Sequence, residues 1–153
     1  MRILFVCIGN ICRSPIAEGV LKDIVDKKQK NWKIASAAVR DYHIGKAPHP
    51  SSQKVCAAHG IDISTQKAML FKVEHLDQYD KIYAMATDVI EEIKDIAGEK
   101  YDSKKISLFL DYKYPGENKS VTDPYYGDES GYLPVFSQIK ENCAIIYEKY
   151  ENK

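Results

Sequence analysis

No excess of either charge marks this sequence: Lys plus Arg number 22, and so do Asp plus Glu. Proteins held to nucleic acid or to an anionic membrane by bulk electrostatics carry surplus cations, so neither partner is expected. Cysteine is also scarce, with four in 153 residues and no Cys-x-x-Cys pair, and the four histidines are scattered. That excludes a disulfide scaffold and argues against a zinc site; no metal and no cofactor is expected. No apolar run approaches membrane-spanning length, and the N-terminal one is too short for a signal segment and lacks a cleavage site. The expectation is a cytoplasmic chain whose length suits a single domain, 1–153. Internal repeats and low-complexity stretches are absent.

What is present is concentrated at the start. Ile3-Leu4-Phe5-Val6 is a short continuous apolar run, as expected of a central parallel strand buried on both faces. At Cys7 the composition turns to Gly9, Asn10, Ser14 and Pro15. Gly9 permits a tight turn, Asn10 tolerates left-handed dihedrals, Ser14 is a good helix N-cap and Pro15 suits the first helical turn. The segment therefore reads strand, loop, helix. The loop Ile8, Gly9, Asn10, Ile11, Cys12, closed by Ser14, would wrap ahead of a helix N-terminus, whose unpaired N–H groups attract anions. Arg13 adds a planar fork for two phosphate oxygens. The same field would stabilise a thiolate at Cys7, with the Ser14 hydroxyl able to donate to the sulfur. The plainer alternative is a small buried cysteine at a strand end. Cys56 and Cys143 fall in apolar helical patterns and read as core.

Apolar residues at Ile16, Ala17, Val20, Leu21, Ile24 and Val25 predict a helix over 14–28. A second strand is expected at 32–37, ending near Ser36. Residues 39–50 form a loop with Tyr42 and His43; loops at the carboxyl ends of parallel strands carry ligand sites, so Tyr42 is either a pocket wall or a surface tyrosine. A helix over 51–58 closes at His59-Gly60. A short helix is expected near 71–76, a third strand at 81–85, and a helix over 88–97 opened by an Asp88/Glu91 capping box. A fourth strand at 106–110 leads into a long loop, 111–131, and the final helix covers 133–150. In the long loop Pro124 holds Asp123 away from helical dihedrals and gives its carboxyl a defined direction, though Asp-Pro is also an ordinary turn device. Strands alternating with helices make this an α/β chain: a three-layer doubly wound fold on a central four-stranded parallel sheet, with a phosphate-binding loop after the first strand.

Val6-Cys7-Ile8-Gly9-Asn10-Ile11-Cys12-Arg13-Ser14-Pro15 resembles the active-site signature of the low-molecular-weight protein tyrosine phosphatases, and Asp123-Pro124-Tyr125-Tyr126 resembles that family's second signature. The resemblance implies a protein tyrosine phosphatase working through a phosphocysteine intermediate without metal. Cys7 would be the nucleophile, Arg13 and the loop amides the phosphate holders, and Asp123 the general acid and base. Tyr42, Tyr125 and Tyr126 would form an aromatic slot for phosphotyrosine. Inorganic phosphate and other oxyanions would inhibit, and the protein would be a monomer or weak dimer. By the same resemblance Ser36 braces the phosphate loop, or is an ordinary strand-end serine. His59 bonds Asn10, or merely suits a helix end. Cys12 is a resolving thiol for Cys7, or simply small and buried. Ile11 stands where phosphoarginine-cleaving relatives have threonine, which favours phosphotyrosine. Ala35, Ala68 and Ala86 depart from the family's polar residues at their positions.

Three rival readings are weaker. Thiol-dependent arsenate reduction needs two further cysteines after the third strand, and 83–98 holds none. A phosphocysteine carrier has no use for Arg13 or the Asp-Pro-Tyr-Tyr segment. A non-catalytic phosphotyrosine-binding module would normally have lost the nucleophile or the acid.

Overall fold

A computed structural model of the chain describes residues 1–125 and 127–151. Four parallel strands, β1 (Arg2–Cys7), β2 (Lys33–Ala38), β3 (Lys81–Ala84) and β4 (Ile106–Leu108), form one sheet in the order β2-β1-β3-β4. Ile3, Leu4, Phe5 and Val6 on β1 are completely buried. Burying each such side chain stabilises by about 1.5–3 kcal/mol.

Successive side chains of a strand face opposite ways. Ile3, Phe5 and Cys7 belong to one core with α1 (Arg13–Lys27), Cys56 of α2 (Pro50–Ala57) and α5 (Tyr132–Tyr150). Leu4 and Val6 belong to the other, with Leu76 of α3 (His75–Gln78) and Val89, Ile93 and Ala97 of α4 (Thr87–Ala97). The three-layer parallel α/β architecture expected from the sequence is the one observed. Cys7 thus ends the central strand, on the face covered by the helix that follows it.

Several local expectations are corrected. Helix α1 starts at Arg13 with Cys12 as N-cap, because the Ser14 hydroxyl is engaged elsewhere. Helix α2 starts at Pro50, and the His49 imidazole supplies the cap by accepting from Ser51 N. The expected helix at 71–76 forms later, at His75–Gln78, because residues 69–71 pair with the end of β2: Leu70 bridges Ala38, and Phe71 N donates to Ala38 O. The Asp88/Glu91 capping box does not form. Ala86 is the N-cap without a side-chain bond, Asp88 Oδ1 accepts from Val89 N, and the Thr87 amide finds the Ser120 hydroxyl at 3.0 Å. Strand β4 ends at Leu108 because the chain tightens into a 3₁₀ turn, Phe109–Asp111.

Candidate active site

The loop between β1 and α1 is held on both flanks by backbone bonds. Val39 N and Arg40 N donate to Cys7 O and Ile8 O, Met85 N donates to Val6 O, and His49 N donates to Ile11 O at 2.8 Å. Asn10 takes the left-handed conformation, φ +57°, in which its short polar side chain is tolerated. Gly9 is needed for another reason than the expected turn. A Cβ there would lie 3.0 Å from His43 Cδ2, so glycine lets the neighbouring loop close on the backbone.

Asn10 is 2% exposed, and its amide organises the interior of the loop. Nδ2 donates to Ser14 Oγ and to Ser36 Oγ, both at 2.8 Å, and Oδ1 accepts from Met69 N. Because Ser14 Oγ already accepts from Asn10, its own hydrogen is free for Cys7 Sγ, 2.9 Å away. Ser36 in turn donates to Glu18 Oε1 at 2.7 Å, and Glu18 Oε2 is paired with Lys22 at 2.6 Å. One amide therefore directs two hydroxyl protons, one to the sulfur and one to a buried carboxylate. Buried polar chains of this kind persist only when each member is satisfied. Ser36 is thus in contact with the loop asparagine.

His59 is elsewhere. Its Nδ1 lies 2.8 Å from Val55 O, and its ring stacks on Phe136 with centroids 4.2 Å apart. The expected His59–Asn10 bond is corrected: just past α2, the histidine packs outward onto α5, and Asn10 spends its bonds on Ser14, Ser36 and Met69.

Arg13, 4% exposed, donates from Nη1 to Val121 O at 3.0 Å, and its Nη2 lies 3.5 Å from Asp123 Oδ2. Asp123 Oδ1 accepts from Tyr125 N in an Asx turn, and this bond fixes the carboxyl direction. Cys7, Ile8, Gly9, Ile11, Cys12 and Arg13 share one pocket with Tyr42, His43, Asp123 and Tyr125. Tyr126 lies outside the described residues. Cys12 is buried with its sulfur 3.5 Å from the Tyr132 hydroxyl, and burial pushes its thiol up to about 12. At neutral pH Cys12 is a thiol.

The alanines at the family's polar positions are accommodated. Ala68 packs with Ile11, Cys12 and Tyr132, and Ala35 packs against the second core. Ala86 is an N-cap without a side-chain bond, and the Ser120 hydroxyl accepts from the first helical amide, Thr87 N.

Glu18 and His49 escaped sequence reasoning. For Glu18 a signal existed, since Ser14 and Glu18 are four apart and share a helix face; its partner Ser36 comes from a different strand. His49 carries no comparable local mark.

An anion-cradling loop with a buried thiol, a guanidinium and a carboxyl facing one pocket at the carboxyl end of a parallel sheet defines a cysteine-dependent phosphatase type of site. Residues 2–153 match the family described as low molecular weight phosphotyrosine protein phosphatase. The chain is 36% identical over 143 residues to the low molecular weight protein-tyrosine-phosphatase YfkJ of Bacillus subtilis, covering 92% of this chain and 90% of that one. It is 35% identical over 150 residues to the human low molecular weight phosphotyrosine protein phosphatase, covering 96% and 94%. Among solved structures, a Drosophila arginine phosphatase superposes with a TM-score of 0.90 at 29% identity, covering 100% of this chain and 99% of that one. The chain belongs to the low molecular weight phosphotyrosine protein phosphatase family, whose enzyme class is that of phosphoric monoester hydrolases.

Proposed function

We propose that this protein, a single domain over 1–153, removes phosphate from phosphotyrosine in proteins or peptides, with Cys7, Arg13 and Asp123 as the reacting groups. The observation that carries the reading is the convergence of those three side chains, with Tyr42 and Tyr125, on one pocket. The Ser14 hydroxyl, 2.9 Å from Cys7 Sγ, is placed to donate to the attacking sulfur. In the first step the sulfur attacks phosphorus in line and the bond to the tyrosine oxygen breaks. That oxygen leaves with its electron pair and takes a proton from Asp123. A phenol has a pKa near 10, so departure without that proton is slow. Arg13 and the amides of Ile8, Gly9, Asn10, Ile11 and Cys12 hold the equatorial oxygens. In the second step the Asp123 carboxylate takes a proton from water, the water oxygen attacks phosphorus, and the phosphorus–sulfur bond breaks to restore Cys7.

Tyr42 is 61% exposed and Tyr125 40% exposed at the pocket mouth, an arrangement that suits an aromatic ring standing on its phosphate. Ile11 presents an apolar side chain to the same pocket, which supports an aryl ester over phosphoarginine despite the likeness to an arginine phosphatase. Phosphate and other oxyanions inhibit by occupying the loop. The protein works in the cytoplasm as a monomer or weak dimer, without nucleic acid or membrane. No helix among the described residues is long and apolar enough to cross a bilayer.

The test compares wild type with Cys7→Ser on matched phosphotyrosine, phosphoserine and phosphoarginine peptides. Phosphate release from the phosphotyrosine peptide alone, abolished in C7S, supports the reading. Preference for phosphoarginine, or activity retained in C7S, overturns it.

A further inference from the structure

His49 joins four parts of the site without lining its pocket. Its backbone amide donates to Ile11 O of the phosphate loop, and its Nδ1 accepts from Ser51 N to cap α2. Its ring stacks on Tyr132, with centroids 5.4 Å apart and planes 21° from parallel, and meets Tyr125 nearly edge-on, at 5.8 Å and 79°. Tyr132 is 3% exposed and touches Cys12 through its hydroxyl, so the face on which His49 lies is rigid. Tyr125 is the partly exposed member and belongs to the pocket wall.

The imidazole is thus fixed on one side by a buried tyrosine and at one end by a helix cap. Its remaining side is turned to the ring that would flank a substrate aromatic. Offset and edge-on aromatic contacts of this kind set ring orientation. His43 meets Tyr125 from another direction, at 5.9 Å, but it lines the pocket itself and would touch the substrate directly. We propose that His49 is a positioning residue for aryl binding. By holding Tyr125 upright between the acid loop and the phosphate loop, it sets the width of the slot. The bonds that hold Asp123 and Arg13 run through the Tyr125 backbone amide and Val121 O, not through the His49 ring. This assignment rests on the phosphotyrosine reading of the same pocket.

The experiment separates the ring from the cap. His49→Asn keeps a strong N-cap and removes the ring, whereas His49→Phe keeps a ring and removes the cap. Each variant is assayed with p-nitrophenyl phosphate, which carries an aromatic ring, and with acetyl phosphate, which carries none. We expect H49N to raise KM for p-nitrophenyl phosphate about fivefold to tenfold with kcat within about twofold, leaving KM for acetyl phosphate unchanged. H49F should hold the wild-type KM for both while melting earlier. On a Tyr125→Leu background, where the positioned ring is gone, H49N should raise KM no further. Equal KM for H49N and wild type, a rise shared by both substrates, or additive rises in the double variant would each overturn the assignment. The first of these with an active wild type leaves the phosphatase reading standing; a wild type inactive on both substrates removes both.

Discussion

Arg13 Nη2 and Asp123 Oδ2 stand 3.5 Å apart, so the phosphate-holding cation and the proton donor are neighbours before any substrate is present. The guanidinium is almost wholly buried, while the carboxyl is 32% exposed. A phosphate dianion seated in the loop would take over the guanidinium and release the carboxyl from that pairing. The pair therefore links phosphate arrival to the freedom of the Asp123 carboxyl.

Replacing Asp123 tests that linkage. Asp123→Ala should slow phenyl phosphate by about 10²- to 10⁴-fold, the usual worth of a positioned acid. Hydrolysis of p-nitrophenyl phosphate, whose leaving group departs readily without a proton, should fall much less. The check is kcat for both esters at one pH. Equal losses would remove Asp123 from proton transfer.

The Lys22–Glu18–Ser36–Asn10–Ser14–Cys7 chain sets a second expectation. Glu18→Ala leaves the Ser36 hydroxyl with no carboxylate to donate to, in a site where Glu18 and Ser36 are 7% and 5% exposed. Losing a bond to a buried charged group costs about 1.5–3 kcal/mol, part of which falls on loop geometry. About 1.4 kcal/mol of lost transition-state stabilisation reads as a tenfold fall in kcat. We expect a fall of about that size together with a lower thermal midpoint. A lower midpoint with kcat unchanged would make Glu18 a fold residue only.

The contrast between Glu18 and Cys7 shows what the sequence discloses. Cys7, Asn10, Arg13 and Ser14 lie in one continuous stretch, so local rules on strands, caps and anion-binding loops place them without tertiary knowledge. The parallel sheet was equally legible, since Ile3–Val6, Ile34 and Ile82 sit in short apolar strands separated by helical stripes. Asp123 was legible from its Asp-Pro context and the resemblance that followed. What remained hidden depends on pairing across the fold: Ser36 meeting Glu18, Met69 N meeting Asn10, Ser120 capping α4. Of the two readings of His59, the fold takes the helix-end one, and nothing local tells the site side from the α5 side. Ser14 was misread as a cap because the rule counts a hydroxyl as free, and here the sulfur and Asn10 engage it.

Cys7 and Cys12 should differ in chemistry although both are buried. Burial keeps Cys12 a thiol at neutral pH, against the Tyr132 hydrogen bond that pulls the other way, whereas Cys7 Sγ lines the pocket with the Ser14 hydroxyl 2.9 Å away. Iodoacetate at pH 7 should carboxymethylate Cys7 well before Cys12, as peptide mass mapping would record. Mild peroxide would oxidise Cys7 to a sulfenic acid; the Cys12 sulfur would then attack it, breaking the S–O bond and releasing water as the disulfide forms, which protects against further oxidation. Activity should then return with dithiothreitol in wild type and stay lost in Cys12→Ser. Full recovery in C12S would exclude Cys12 as the partner.

A final expectation concerns stability against pH, through His75 on α3. Burial beside Phe71 and Tyr79 pulls its imidazole below the ordinary value of 6.5, opposed by the Glu74 charge and aided by those of Lys72 and Lys33. A depressed value means that the unfolded chain takes up the proton first. The contribution is therefore complete above about pH 6.5 and is lost as pH falls toward the lower folded value. The Asp80 carboxyl is likewise held low by its hydrogen bond from Arg2, but it titrates in the carboxylate range and leaves the window just below 6.5 to histidine. Urea midpoints of wild type measured from pH 8 to pH 5 should decline below that point. In His75→Gln, which retains an amide acceptor but cannot titrate, the midpoint should start lower at pH 8 and decline less. Parallel curves for the two proteins would show that α3 does not report on the proton.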